Sequence, residues 1–194
     1  SEMCIRDRYA NTTGAINTAV GWYSMIANTT GAENTAIGGY ALGVNTTGSN
    51  NVAVGRQALV SNTTASYNTA VGFQAGYSNV TGTGLAAFGY QALYSNTADY
   101  NSAYGYGSLL ANTSGASNTA VGALSLRFNT TGQYNVAVGK EALQANTTAS
   151  NNTAVGFQAG YSNTTGASLV AIGFQSNYSN TTGVRNSALG LSSL

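Results

Sequence analysis

The chain has 194 residues, 25 of them glycine and none proline, and its 6 basic and 5 acidic residues leave a net charge of +1 at neutral pH. So few cations cannot form the basic stripe that grips a phosphate backbone, which excludes a nucleic-acid partner, and no apolar run reaches the about 18 residues of a membrane-spanning helix. One cysteine and no histidine exclude a disulfide framework and remove the usual bases and ligands of hydrolytic and metal chemistry.

Residues 1–8, Ser-Glu-Met-Cys-Ile-Arg-Asp-Arg, share nothing with the rest of the chain, yet hold the one cysteine, Cys4, and four of the charged residues. They read as translated adapter sequence of the kind found in metagenomic assemblies, and are set aside from fold reasoning. A single repeat domain is expected over residues 9–194. Since the last unit breaks off at Leu194, a cut at each end of a longer gene is expected.

From Asn17 onward one unit is written eleven times, most cleanly as N-T-A-V-G-F-Q-A-G-Y-S-N-T-T-G-A-S at Asn152 to Ser168. Its glycines, from Gly21 to Gly190, recur every 17 residues, with one step of 16 where the turn Asn96-Thr97-Ala98-Asp99-Tyr100 lacks a residue. Counting from the first Asn, position 3 is Ala in every unit, position 4 is apolar or aromatic, position 8 is Ala or Ser, and position 9 is mostly Leu or Met. A short self-similar period without helical spacing marks a solenoid. A longer period lies over it: Phe73 to Asn79 recurs unchanged at Phe157 to Asn163, five units on, which block duplication explains.

Within each unit, T-A-V at positions 2 to 4 suits a β-strand ended by Gly, and positions 6 to 11 suggest a second strand. N-T-T-G is turn chemistry, because Asn tolerates a left-handed backbone and Gly accepts positive φ. The expected fold is all-β, a parallel β-solenoid or β-roll of about eleven coils with two short strands each, about 50 Å long at the usual strand spacing. Arg56, Lys140, Arg127 and Gln144 at positions 6 and 10 set that side outward. Strict alternation then puts Leu143 inside and, on the first strand, Val155 and its equivalents inside with position 2, leaving Ala137 and the other alanines of positions 3 and 8 outward. Gly76, Gly160 and Asn177 at position 9 suggest a bulge that turns Tyr77, Tyr161 and Tyr178 inward.

Two asparagine columns are candidate ladders. Position 1 supplies Asn17, Asn34, Asn51, Asn68, Asn118, Asn135 and Asn152; the turn at position 12 supplies Asn28, Asn45, Asn62, Asn112, Asn129, Asn146 and Asn163. Stacked amides bond to one another and satisfy turn backbone. The same turns match the N-x-[ST] pattern of sugar attachment. Phe73, Tyr90, Phe157 and Phe174 at position 6, with Tyr77, Tyr94, Tyr161 and Tyr178 at position 10, form a candidate surface aromatic strip, either a sugar-binding face or rings that stabilise the sheet. Glu33, Asp99 and Glu141 sit in different coils at different positions, so no two share a proton or a metal. No enzymatic activity, cofactor or metal is expected.

The motifs N-N-V-A-V-G at Asn50 to Gly55, Y-N-V-A-V-G at Tyr134 to Gly139 and N-N-T-A-V-G at Asn151 to Gly156 resemble the repeats in the head domains of trimeric autotransporter adhesins of the YadA type. The resemblance covers every unit from Asn17. It implies a left-handed parallel β-roll, a homotrimer, a bacterial cell-surface location, and adhesion to a host surface, matrix or glycan, without membrane insertion of this segment. Similar repeats occur in phage tail fibres, so a tail-fibre shaft on a virion is the alternative. An ice-binding solenoid with a flat threonine face is a third reading. The outward alanines would then be the face on which copies pack.

Overall fold

The computed structural model describes residues 10–193, so the octapeptide 1–8 lies outside the described residues. Each T-A-V run forms one three-residue strand: β1 Thr18–Val20, β2 Thr35–Ile37, β3 Val52–Val54, β4 Thr69–Val71, β5 Ala86–Phe88, β6 Ser102–Tyr104, β7 Thr119–Val121, β8 Val136–Val138, β9 Thr153–Val155, β10 Val170–Ile172 and β11 Ser187–Leu189. They make a single 11-stranded sheet in chain order, every pair parallel. This is a β-solenoid, one strand per turn. Like positions pair throughout, as Ala53 does with Ala70, and the short step keeps the rule by pairing Phe88 with Tyr104.

Glycine ends each strand for a steric reason. Gly38 has a φ of 128°, and a Cβ there would stand 2.7 Å from the carbonyl of Gly55 in the next coil. No side chain fits between glycines stacked at strand spacing.

Positions 6 to 11 do not form the expected second strand. Positions 7 and 9 are left-handed, with φ 60° at Gln57 and 49° at Leu59, and two turns close this side of the coil: Ala41 N–H donates to the Gly38 carbonyl (3.1 Å) and Asn45 N–H to that of Leu42 (3.1 Å). Each non-glycine residue held there costs about 1–2 kcal/mol, which the stack offsets by bonding coil to coil through the same stretch. Leu42 N–H, for instance, donates to Ala58 of the next coil at 3.1 Å. Left-handed residues break strict alternation. Consecutive residues therefore both turn inward, as Ala142 and Leu143 do, each 0% exposed.

The first strand has the opposite phase from the one expected. Ala137 is 0% exposed and Val155 is 37% exposed, so position 3 faces the interior and positions 2 and 4 face out. The interior holds a Leu or Met at position 9 of most coils together with the asparagines of positions 1 and 12, which are buried except at Asn17, Asn180 and Asn186 near the ends. Opposite them there is room for a methyl group and no more, which is why Ala recurs at positions 3 and 8. Leu143 is buried and Lys140 exposed, as expected; Arg127 is half-buried, its guanidinium 4.9 Å from the Phe128 ring, and Gln144, expected outward, is buried.

No bulge forms at Gly76 or Gly160, whose φ values of 62° and 61° match those of the leucines they replace. Leucine from position 1 of the following coil, Leu85 or Leu169, enters the core instead. A Cβ on Gly160 would lie 3.1 Å from Leu169 Cδ2 and 3.0 Å from Leu143 Cδ2, so the volume lost at one position is taken up by its neighbours. Tyr77, Tyr161 and Tyr178 remain on the surface, half-buried.

Candidate interaction surface

The N-T-T-G corner is occupied with its own structure. The Gly31 carbonyl accepts from Asn17 Nδ2 (2.7 Å) and from Asn28 Nδ2 (2.9 Å), joining the two asparagine columns. Up the turn column, Asn45 Nδ2 donates to Asn28 Oδ1 at 2.8 Å and Asn62 Nδ2 to Asn45 Oδ1 at 2.8 Å; Asn129 and Asn146 repeat this on Asn112 and Asn129 at 2.7 Å each, and Asn163 on Asn146 at 3.2 Å. In the first column the main chain takes part. Asn34 N–H donates to Asn17 Oδ1 (2.9 Å), Asn51 to Asn34 (2.9 Å), Asn68 to Asn51 (3.0 Å), Asn135 to Asn118 (3.0 Å) and Asn152 to Asn135 (3.0 Å). Where Leu85 interrupts this column, its N–H still serves Asn68 Oδ1 at 3.0 Å, and Asn101 restarts the series by donating to Asn96 Oδ1 at 3.0 Å.

These amides are buried and their polar atoms engaged, so they read no ligand. The same burial closes the glycosylation pattern: Asn45, Asn129 and Asn163 are fully buried, and no oligosaccharide fits on them once the coil has closed. Asn79, Asn96, Asn101 and Asn180 also belong to the ladders. A threonine column completes the corner, Thr29 Oγ1 donating to the Thr46 carbonyl at 3.0 Å and Thr130 Oγ1 to that of Thr147 at 3.1 Å.

A third ladder was not expected. Gln74 Nε2 donates to Gln57 Oε1 (3.0 Å) and Gln91 Nε2 to Gln74 Oε1 (2.8 Å); five coils on, Gln175 donates to Gln158 (2.8 Å) and Gln158 to Glu141 Oε2 (2.6 Å). Its signal was glutamine repeating at position 7. Lys140 pairs with Glu141 at 3.4 Å, and with its side chain 57% exposed the pair contributes little.

The aromatic strip lies on the surface as stacked columns. Phe73, Tyr90 and Tyr106 stand 5.5 and 5.2 Å apart between centroids, Tyr77 and Tyr94 4.9 Å, Phe157 and Phe174 5.3 Å, and Tyr161 and Tyr178 5.0 Å, all near parallel. Arg56 covers Phe73 and Lys140 covers Phe157, each at 5.8 Å. Each ring in these columns has at least one face against a neighbouring ring, the arrangement by which cross-coil aromatic pairs stabilise a sheet face.

The outward side of the sheet is different. Position 4 presents Val20, Ile37, Val54, Val71, Phe88, Tyr104, Val121, Val138, Val155, Ile172 and Leu189 in one straight column, with position 2 beside it. Neither position carries a charge in any coil, while the seven charges past residue 8 stand at positions 6, 7, 10, 16 and 17. At about 4.8 Å per coil and about 10 Å in width, the strip offers about 500 Å² of uncharged surface, apolar along position 4 and mostly Thr, Ser or Val along position 2. The sequence did hold a sign of this placement: position 4 ranges in size from Val to Tyr, a tolerance that a narrow interior would not allow.

Among the described residues no pocket opens, no group of three His, Cys, Asp or Glu converges, and no helix is long and apolar enough to cross a membrane. Compared with known families, curated proteins and solved structures, the chain matches none.

Proposed function

We propose that the chain is a rod segment of a homotrimeric bacterial surface fibre, a structural and adhesive stalk whose copies lie parallel and pack through positions 2 and 4. The observation that carries this reading is the uncharged apolar strip along every described coil. It replaces the alanine face expected from the sequence, since those alanines fill the coil interior. Copies aligned in parallel bury the strip over its whole length, because each coil presents the same patch. The count of three and the surface location rest on the N-V-A-V-G resemblance. A phage tail-fibre shaft would use the same geometry.

One observation favours a second reading. Position 2 faces outward, so Thr18, Thr35, Thr69, Thr119 and Thr153 line the open sheet face, as an ice-binding plane requires. The Phe88 and Tyr104 rings interrupt such a plane. Sedimentation of residues 9–194 decides between the readings: three times the chain mass, falling to one with Val121→Asp and Val138→Asp, supports the fibre. A wild-type chain that stays monomeric at high concentration and inhibits ice recrystallisation supports the second reading and ends the first.

A further inference from the structure

We infer that Phe88 and Tyr104, with Ala86 and Ser102 beside them, fix the axial register between associated copies; this rests on the association proposed above. A strip of repeating coils does not define its own alignment. Sliding one copy past another by one coil, about 4.8 Å, again sets Val against Val, so slipped pairings compete unless something breaks the repeat.

One place within the rod breaks it. Position 4 is Val, Ile or Leu in every coil except those of β5 and β6, where Phe88 and Tyr104 stand as neighbours, ring centroids 5.0 Å apart and 7° from parallel. Tyr104 is 42% exposed and Phe88 is half-buried, so both larger side chains form part of the outward face. The same two coils carry unusually small residues at position 2: Ala86, the one alanine found there, and Ser102. In the remaining coils Val and Ile stand beside Thr or Val, and Leu189, no larger than Ile, stands beside Ser187. Where one outward residue grows, its outward neighbour shrinks. A surface facing water needs no such compensation, while a face filled by a packed partner does.

The geometry makes the pair self-complementary. About any rotation axis running along the rod, position 4 of one copy lies against position 2 of the next. In register, the Phe88 and Tyr104 rings enter the hollows over Ala86 and Ser102 of the neighbour. Shifted by one coil or more, a ring meets Thr or Val and a hollow is left unfilled, so both overpacking and a cavity oppose the slip.

The test uses two pools of residues 9–194, one isotopically labelled, carrying single cysteines. Val155→Cys is mixed with Thr153→Cys in the same coil, or with Thr119→Cys two coils away, and the mixed disulfides are measured by mass spectrometry after mild oxidation. The native strip should give about tenfold more same-coil than offset product, the ratio that a slip cost of overpacking size implies. A strip made uniform by Ala86→Thr, Phe88→Val, Ser102→Thr and Tyr104→Val, each residue taken from other coils, should give both products alike. Equal products from the native strip, or same-coil product alone from the uniform strip, overturn the register role while leaving association intact. A native chain of monomer mass with neither product overturns the fibre reading, and the register role with it.

Discussion

The two sides of one sheet differ more than any two stretches of the chain. Inward, position 3 is alanine in every coil and Ala36, Ala53 and Ala137 are fully buried; outward, one residue away, position 4 carries Val, Ile, Phe, Tyr or Leu, with Val20 at 48% exposure. Hydrophobicity alone would reverse the two. Interior space in so thin a coil is limited by the opposite wall, so size decides which residues of the strand go in, and its larger apolar residues are left outside. Steric constancy marks the inside, and freedom from charge together with variable size marks the outside.

Adjacent residues give the strongest way to break this comparison. Ala137→Asp should cost several kcal/mol, because an unpaired carboxylate would enter a dry interior. Val138→Asp should leave the stability of the isolated chain within about 0.5 kcal/mol while weakening association. Chemical denaturation and sedimentation, run on both variants, separate the effects; equal destabilisation of the isolated chains would mean that both sides are interior.

The ladders predict the next largest effect. Asn129→Ala removes the bonds to Asn112 Oδ1 (2.7 Å), to the Gly132 carbonyl (2.9 Å) and from Asn146 Nδ2 (2.7 Å), and should cost about 2–3 kcal/mol. Gln158→Ala, on the half-buried outer ladder, should cost about 1 kcal/mol or less. Denaturant midpoints at equal slope measure both, and a reversed order would show that corner burial is not what makes the amide expensive to lose.

Core volume can be traded between coils. Gly160→Leu should destabilise by about 1–3 kcal/mol, because Leu169 already fills the space, and Leu169→Asn by a similar amount through the cavity it leaves. Combined, they recreate the common coil and should recover about 1–2 kcal/mol of the summed loss. Additive losses in a double-mutant cycle would mean that the two residues do not share a cavity.

The smallest effect concerns strain. Ser168 is exposed with a φ of 59°, and Ser168→Gly should change stability by less than about 1 kcal/mol, in the stabilising direction, since relief of the left-handed cost exceeds the added chain entropy. Thermal denaturation reads the sign.

Much of this architecture was legible in the residues. The recurrence of Gly21 to Gly190 set the coil length, because only glycine passes where carbonyls stack at strand spacing. Asn28 and Asn45 pointed to ladders, because identical amides repeated at one coil position must lie above one another. Leu143 pointed inward because the polar residues at positions 6 and 10, Lys140 among them, marked the other side as outward. The phase of the first strand was legible only in the size range of position 4, from Val to Tyr, and not in its hydrophobic pattern. T-A-V is apolar or nearly so on both faces, so its alternation defines two sides without saying which is inside. That phase depends on how closely the wall of Ala142 and Leu143 approaches, and the approach is set by left-handed residues at positions 7 and 9, such as Glu141 and Leu143, whose side chains favour no such backbone. Local preference could not announce them, because hydrogen bonds from the coils above and below hold them there. Closure of the coil left room for a methyl group at Ala137 and turned Val138 outward.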